Sequence, residues 1–376
     1  MLGDNSVSIG RVGTVHDLPV IEEYRPNMKG IRHLAEHLGI SIGTVSRALN
    51  GKPDVNEETR KRVLEAAAEL SYVPNQSGRS LRQGTTNAVG FMIELNPETA
   101  RSDNFFMGVF DGVQSLLQRH GLDLVVLPCP TGEDPLPYLQ RFVARGAVDA
   151  MIISATQRVD PRIDLLQAAG MPFLTLGRST SGQDYAWIDL DFEGVVNAGI
   201  DRLVAAGHRR IAMTVPRNEI NLGFICLDAY KGALSRHGLR YEPELVLRSR
   251  WSERGGYEVA DQLVALPERP TGLLLVYEMI AIGLYQRLGE LGITPGRDLS
   301  VVAFRDEPIL RLLSPPVTCF QMSLHDLGVG IAEAVLAQMP AYRHLYPLGI
   351  VQKRWPLTLL PGQSDAPLAT AVAAAP

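Results

Sequence analysis

Cysteine is scarce. The chain has three in 376 residues, Cys129, Cys226 and Cys319, each more than ninety residues from the next. That spacing excludes a disulfide framework and a paired-cysteine metal site, and it fits a reducing compartment. Long apolar runs are lacking as well, and none approaches the ~20 residues that cross a bilayer. Asp4, His16, Asp17, Glu22 and Glu23 occupy the stretch where a signal peptide needs an apolar core. Neither membrane insertion nor export is therefore expected, and the chain reads as cytoplasmic. Neither charge sign dominates: 36 Lys and Arg face 41 Asp and Glu, a net charge of −5, so any basic surface for nucleic acid must be local. Signatures of catalysis are missing too. There is no GxSxG, no HExxH, no glycine-rich phosphate loop, and no histidine that spacing pairs with a cysteine. The reading is a non-enzyme without cofactor or metal.

What is present is an ordinary globular composition, 45% apolar and 20% charged, at a length that holds two to three domains. The charge is unevenly divided. Residues 28–84 hold nine basic and six acidic side chains, a net +3, residues 85–376 stand at −6, and residues 1–27 stand at −2. A small basic head before a large acidic body points to a polyanion-binding head. Within residues 28–73, apolar side chains recur at helical spacing from Ile31 to Leu38, from Ile42 to Leu49 and from Glu57 to Leu70. Gly39 ends the first helix, Ser41 caps the second, and Asn56 caps the third ahead of Glu57 and Glu58. From about Ala88, short apolar runs such as Val89 to Ile93, Ala150 to Ile153 and Ile211 to Val215 alternate with helix-length segments. That rhythm means βαβ units and parallel sheet. Roughly 270 residues of it exceed one doubly wound sheet, which predicts two α/β lobes with a ligand cleft between them. The tail from Gly362 has too little apolar bulk to pack. The first 27 residues read as a flexible extension or as sequence ahead of a true start at Met28.

The stretch from Leu34 to Asn50 puts a small Ala35 where two helices must cross and Gly39 where the chain must turn tightly, a helix-turn-helix pattern. In its second helix Val45, Ala48 and Leu49 share one face, and Ile42, Gly43, Ser46, Arg47 and Asn50 share the other, the face that would enter a major groove. On this stretch alone an unrelated helical hairpin with a solvated arginine stays open.

The run Thr44-Val45-Ser46-Arg47-Ala48-Leu49-Asn50-Gly51, followed by Val55, Thr59-Arg60, Val63, Ala67, Leu70, Tyr72-Val73-Pro74-Asn75, Arg79 and Leu81, resembles the headpiece and hinge of the LacI/GalR family of transcriptional repressors. The resemblance covers about residues 29–361, through Gly207-His208-Arg209-Arg210-Ile211-Ala212 and the order of the βα units. It implies a small all-α helix-turn-helix headpiece followed by an α/β two-lobed periplasmic-binding-protein-like body with parallel sheets. The implied divisions are an extension at 1–27, the headpiece at 28–73, a hinge helix and linker at 74–86, an effector-binding and dimerisation body at 87–361 and a disordered tail at 362–376. It also implies a homodimer on a double-stranded DNA operator, with operator affinity set by a small molecule, a sugar or glycoside, held in the body. The alternative is a solute-binding protein of a sugar transport system, which would account for the body but not the head.

Carried over residue by residue, Ile42 and Gly43 fall at the positions that choose operator sequence and Arg47 at the guanine-reading position. A guanidinium fork suits guanine O6 and N7, each good bidentate contact being worth roughly 1–3 kcal/mol of discrimination. Thr44, Ser46 and Asn50 fall at phosphate-holding positions. In the hinge, Asn75 and Gly78 precede Leu81, which matches the leucine wedged into the minor groove. Gly78 stands where alanine is usual, a loss of roughly 1 kcal/mol in a helix. In the body, Phe105, Phe106, Arg178, Asp189, Trp251, Tyr277, Arg305 and Asp306 fall at cleft positions, with Trp187-Ile188-Asp189 opening the second lobe. The chain departs from the family where Cys226 replaces a common arginine, Tyr277-Glu278 replaces Asn-Asp and Arg305-Asp306 replaces Asp-Asp. The usual hydroxyl clamps are thus replaced, which favours a disaccharide or glycoside gripped by Trp251, Tyr277 and Arg178.

Overall fold

The computed structural model describes residues 30–49, 51–70, 72, 85–95, 104–182 and 184–367. Asn50, the hinge residues Asn75, Gly78 and Leu81, and the extension at 1–27 lie outside the described residues. The chain divides into two compact units, Met1–Gly84 and Thr85–Pro376.

Among the described residues of the first unit three helices form, α1 (Ile31–Leu38), α2 (Ile42–Leu49) and α3 (Glu57–Glu69). Each boundary has a local cause. Gly39 ends α1 at φ +65°, a left-handed conformation that costs glycine nothing. Ser41 Oγ accepts the backbone N–H of Thr44 at 3.0 Å, and Asn56 Oδ1 accepts that of Glu58 at 2.9 Å. Leu34, Ala35, Val45, Ala48, Val55, Val63, Ala66 and Ala67 make one core to which every helix contributes. These side chains are mostly small, so the helices approach closely, and no single helix could bury them alone.

The second unit is two parallel sheets with helices packed on them. The first sheet has the order β11-β5-β4-β3-β1-β2. Its strands are β1 (Ala88–Glu94), β2 (Asp123–Cys129), β3 (Ala150–Ile153), β4 (Phe173–Leu176), β5 (Trp187–Leu190) and, from far along the chain, β11 (Gln352–Trp355). The second has the order β7-β6-β8-β9, with β6 (Ile211–Pro216), β7 (Val246–Ser249), β8 (Gly272–Leu275) and β9 (Ser300–Ala303). Most of these strands are buried along their length and are rich in Val, Ile, Leu and Met, as parallel strands covered on both faces tend to be.

The chain crosses between the lobes three times. After β5, helix α7 (Phe192–Ala205) packs on the second sheet, where Gly199 lies against Leu274. After β10 (Cys319–Gln321), helix α11 (Leu324–Gln338) returns to the first lobe against α4 (Phe105–Leu117). There a Cβ on Gly112 would sit 2.0 Å from the carbonyl oxygen of His325, so only glycine allows the approach. After β11, strand β12 (Thr358–Leu360) pairs antiparallel with β10. One buried cluster runs across both lobes, with Phe192 stacked on Phe304 at 4.7 Å.

Two expectations are corrected. Trp187, Ile188 and Asp189 do not open the second lobe: they are a strand of the first sheet, hydrogen-bonded between β4 and β11, and the crossing comes one residue after that strand. Packing also does not stop at Gly362. Ser364 is fully buried, its Oγ donating to the carbonyl of Val301 at 2.6 Å and accepting the N–H of Thr318 at 2.9 Å. Asp365 accepts the Thr318 hydroxyl at 2.6 Å and pairs with Arg202. Hydrogen bonds along the edge strand β9 hold this segment, and a composition poor in apolar bulk carries no sign of them.

Candidate functional site

The headpiece presents the face expected of it. Val45 and Ala48 are buried in the core, whereas Ile42, Gly43 and Arg47 are exposed and Thr44 and Ser46 half-buried. Ile42, at 43% exposure, is a large apolar side chain left in water at the start of α2. Gly43 has no neighbour nearer than 3.6 Å to its Cβ position, so this point of the surface is flat and open. Arg47 Nε lies 3.4 Å from Asp54, with both side chains more than half exposed. A pair that exposed is weak and exchanges readily for a stronger acceptor.

In the body, side chains from both sheets converge on one cleft, and each comes from the C-terminal end of a parallel strand or the turn beyond it. Glu94 ends β1, Ser154 to Thr156 follow β3, Gly177 and Arg178 follow β4, and Asp189 lies in β5. From the second lobe come Asn218 after β6, Trp251 after β7, Val276 to Glu278 after β8, and Phe304 and Arg305 after β9. Phe105 and Phe106, at the first turn of α4, complete the wall. Open α/β sheets bind ligands at this end because the strand-to-helix turns there are free to vary. The cavity holds about 210 Å³, more than the ~150 Å³ that takes a benzene ring.

The walls combine aromatic faces with tied charges. Trp251 and Tyr277 are stacked at 4.9 Å and 13°. Phe105 stands edge-on to Phe106 at 5.2 Å. Arg178 donates from Nε to Asp189 at 2.7 Å and from Nη2 to both oxygens of Glu193 at 2.9 and 2.8 Å. Arg305 lies 5.3 Å from the Phe105 ring, donates to Glu278 at 2.5 Å and pairs with Glu307. Below the floor, Arg162 is almost wholly buried. It donates to Asp160, to Glu94 at 2.8 Å, and to the carbonyls of Ser154 and Ala155. That grip holds Ala155 at φ +52°, a left-handed conformation uncommon for a residue with a Cβ.

Burial raises the Asp189 carboxyl to about 6 despite the pull of Arg178, and it raises Glu94 despite Arg162. For Arg178 the balance is reversed: burial lowers its affinity for the proton, but Asp189 and Glu193 outweigh burial and hold it charged. Burial also pushes up the thiols of Cys129 and Cys226, and that of Cys319 to about 12, so none is a ready nucleophile. On one side the lobes touch. The Asn221 backbone N–H donates to Thr156 at 2.8 Å and its side-chain amide to the Arg178 carbonyl at 2.7 Å, while Arg158 lies 4.8 Å from the Phe224 ring.

Seven of the eight body residues singled out in the sequence, Phe105, Phe106, Arg178, Asp189, Trp251, Tyr277 and Arg305, line this cleft. Asp306 is the exception. Its carboxylate is held by Arg311 and its backbone N–H by Phe320, outside the lining. Glu94, Ser154, Thr156 and Asn218 were missed, although a carboxylate ending the apolar run of β1 is a readable signal. Arg162 was missed as well: Asp160 lies only two residues from it, but the cleft carboxylate it pairs with, Glu94, lies 68 residues away.

Comparison with known proteins places both units. The family model for bacterial regulatory proteins of the lacI family matches residues 30–75, and one described as a periplasmic binding protein-like domain matches residues 200–354. The HTH-type transcriptional regulator AglR of Rhizobium meliloti (strain 1021) is 33% identical over 312 residues, 81% of this chain and 86% of that protein. The chain belongs to the lacI family. This regulator is also 33% identical to the HTH-type transcriptional regulator RafR of Escherichia coli, over 74% of its own length and 82% of that protein. Two solved structures share its fold. A lac repressor dimer bound to operator and the anti-inducer ONPF has a TM-score of 0.77 at 22% identity, covering 90% of this chain and 99% of that one. A complex of the transcriptional regulator CelR with cellobiose has a TM-score of 0.66 at 23% identity, covering 89% and 99%. The regulator is thus a DNA-binding transcription factor and not an enzyme, and the match at residues 30–75 sets aside a solute-binding protein with no DNA role.

Proposed function

We propose that the regulator is a cytoplasmic repressor that binds a two-fold operator as a homodimer, and that a sugar or glycoside in the interlobe cleft sets its affinity for that operator. Ile42, Gly43 and Arg47 face base edges, Thr44 and Ser46 hold phosphates, and Asn50, Asn75, Gly78 and Leu81 complete the DNA surface. In the body Phe105, Phe106, Arg178, Asp189, Trp251, Tyr277 and Arg305 contact the effector. The observation that carries this reading is the stacked pair of Trp251 and Tyr277 beside charged groups from both lobes. A sugar ring offers a C–H face that stacks on an aromatic plane and a rim of hydroxyls that bond to carboxylates and guanidinium groups. That CelR, a fold relative, is solved with cellobiose agrees with a disaccharide-sized ligand.

A thermal-shift screen of mono- and disaccharides tests the effector, since a ligand that binds only the folded body raises its transition temperature. A stabilising sugar is expected among the disaccharides, and stabilisation by monosaccharides alone would contradict the size assignment. Footprinting should show a pseudo-palindromic site of about 14–20 base pairs, because paired headpieces need two half-sites. An asymmetric site protected by a monomer would contradict the dimer.

A further inference from the structure

We propose that the cleft selects effectors that carry no negative charge, so that neutral glycosides bind and phosphorylated sugars, sugar acids and nucleotides are turned away. The inference rests on the sugar-effector reading and narrows it to one chemical class. Three carboxylates line the cleft, Glu94, Asp189 and Glu278, against two guanidinium groups, Arg178 and Arg305. Each of those cations is already shared between two carboxylates, Arg178 by Asp189 and Glu193, and Arg305 by Glu278 and Glu307. The same arrangement recurs beneath the floor, where Arg162 serves both Glu94 and Asp160. The exposed Arg354 likewise approaches two carboxylates, Asp191 and Glu193. Counting partners, four arginines pair with seven carboxylates, and of these two arginines and three carboxylates line the cavity itself. Arg158, stacked on Phe224 where the lobes meet, does not line it.

A phosphate needs a cation whose charge is not already balanced, or a helix N-terminus left open to it. Here the first turn of α7 is occupied by the Asp191 carboxylate, which accepts the N–H of Gly194 at 3.1 Å, and by Glu193. A dianion would enter beside at least three carboxylates in a partly dry site, where Coulomb repulsion is weakly screened. A neutral polyol meets the opposite condition. Ionised carboxylates accept hydrogen bonds at several lone pairs and donate none, which makes Glu94, Asp189 and Glu278 fitting partners for the hydroxyl groups of a neutral polyol. The rise in the Asp189 and Glu94 pKa values fits the same crowding of negative charge in a desolvated space.

The test is calorimetric titration of the full chain with maltose, cellobiose and sucrose, each beside its own 6-phosphate. The expected result is that at least one neutral sugar binds and that its phosphate binds at least tenfold more weakly. Glu278→Gln, which removes one of the two charges balancing Arg305, should narrow that ratio. Glu193→Gln should do the same for Arg178 from a partly exposed position that a folding defect is less apt to cloud. A phosphorylated sugar that binds as tightly as its parent, or more tightly, overturns the inference and leaves the sugar reading standing. Ratios unchanged in both variants would also overturn it, because discrimination would then not come from these carboxylates. No binding by any member of the set overturns the disaccharide assignment on which the inference rests.

Discussion

The headpiece and the body support their functional groups in opposite ways. In the headpiece eight small and medium apolar side chains form the core, and the proposed DNA-contacting residues of α2 stand on its outer face, with Ile42, Gly43 and Arg47 exposed. Among the described residues Arg47 meets Asp54 in an exposed pair, and Gly43 offers the surface no side chain. In the body every working cation is fixed by two carboxylates, and its neighbours arrive from strands distant in sequence. A reader of DNA gains from side chains free to find base edges and phosphates, because the duplex supplies the order. A cleft for a small ligand gains from groups fixed beforehand, because each side chain ordered on binding subtracts from affinity.

The largest effect is expected where the body's fixed charges are broken from below. Arg162→Met leaves Asp160 and Glu94 without their cation in a buried site, a change of the kind that costs about 3–5 kcal/mol. Calorimetry should show the body's transition falling by on the order of 10 °C, and a change within a degree would mean that water replaces the guanidinium. In the headpiece, Arg47→Ala should leave thermal stability nearly unchanged and lower discrimination at one guanine per half-site by about 1–3 kcal/mol. Competition binding with operators altered at single positions reads this, and unchanged discrimination would remove Arg47 from the bases.

The smallest effect concerns pH. Because burial raises Asp189 from 3.8 to about 6, the folded state binds this proton more tightly than the unfolded chain does. Its contribution to stability is therefore complete below about pH 4 and is lost as pH rises through 6, amounting to about 1 kcal/mol between pH 5 and 7. The stability difference between the native chain and Asp189→Asn should shrink over that interval in denaturant titrations. A difference that grows with pH would mean that Arg178, not burial, governs the carboxyl.

Legibility in the sequence follows the same division. The three headpiece helices and their caps at Gly39, Ser41 and Asn56 were readable because the signals are local, each within a few residues of what it controls. The runs at β1, β3 and β6 were readable because buried parallel strands are uninterrupted apolar segments. Strand β11, with its Lys353 and Arg354, was not: it is an edge strand, mostly exposed, held by pairing with β5. The docked segment at Ser364 and Asp365 escaped for the same reason, since hydrogen bonds to Val301 and Thr318 leave no apolar pattern. In the cleft, aromatic and charged residues were visible as types at strand ends. The sharing of each arginine between two acids was not visible, because it depends on contacts such as Arg305 with Glu278, 27 residues apart.

The account rests on the body's cleft governing the headpiece's hold on DNA, and operator affinity of the intact chain, measured with and without a saturating neutral disaccharide that stabilises it, tests this most directly. The native chain should change its operator affinity by roughly 5- to 150-fold on adding the sugar, the range of ordinary coupling between sites. Trp251→Ala, which removes half of the stacked pair, should bind operator as the native chain does and lose that response at the same sugar concentration. A sugar that binds the native chain and leaves its operator affinity unchanged would contradict the account.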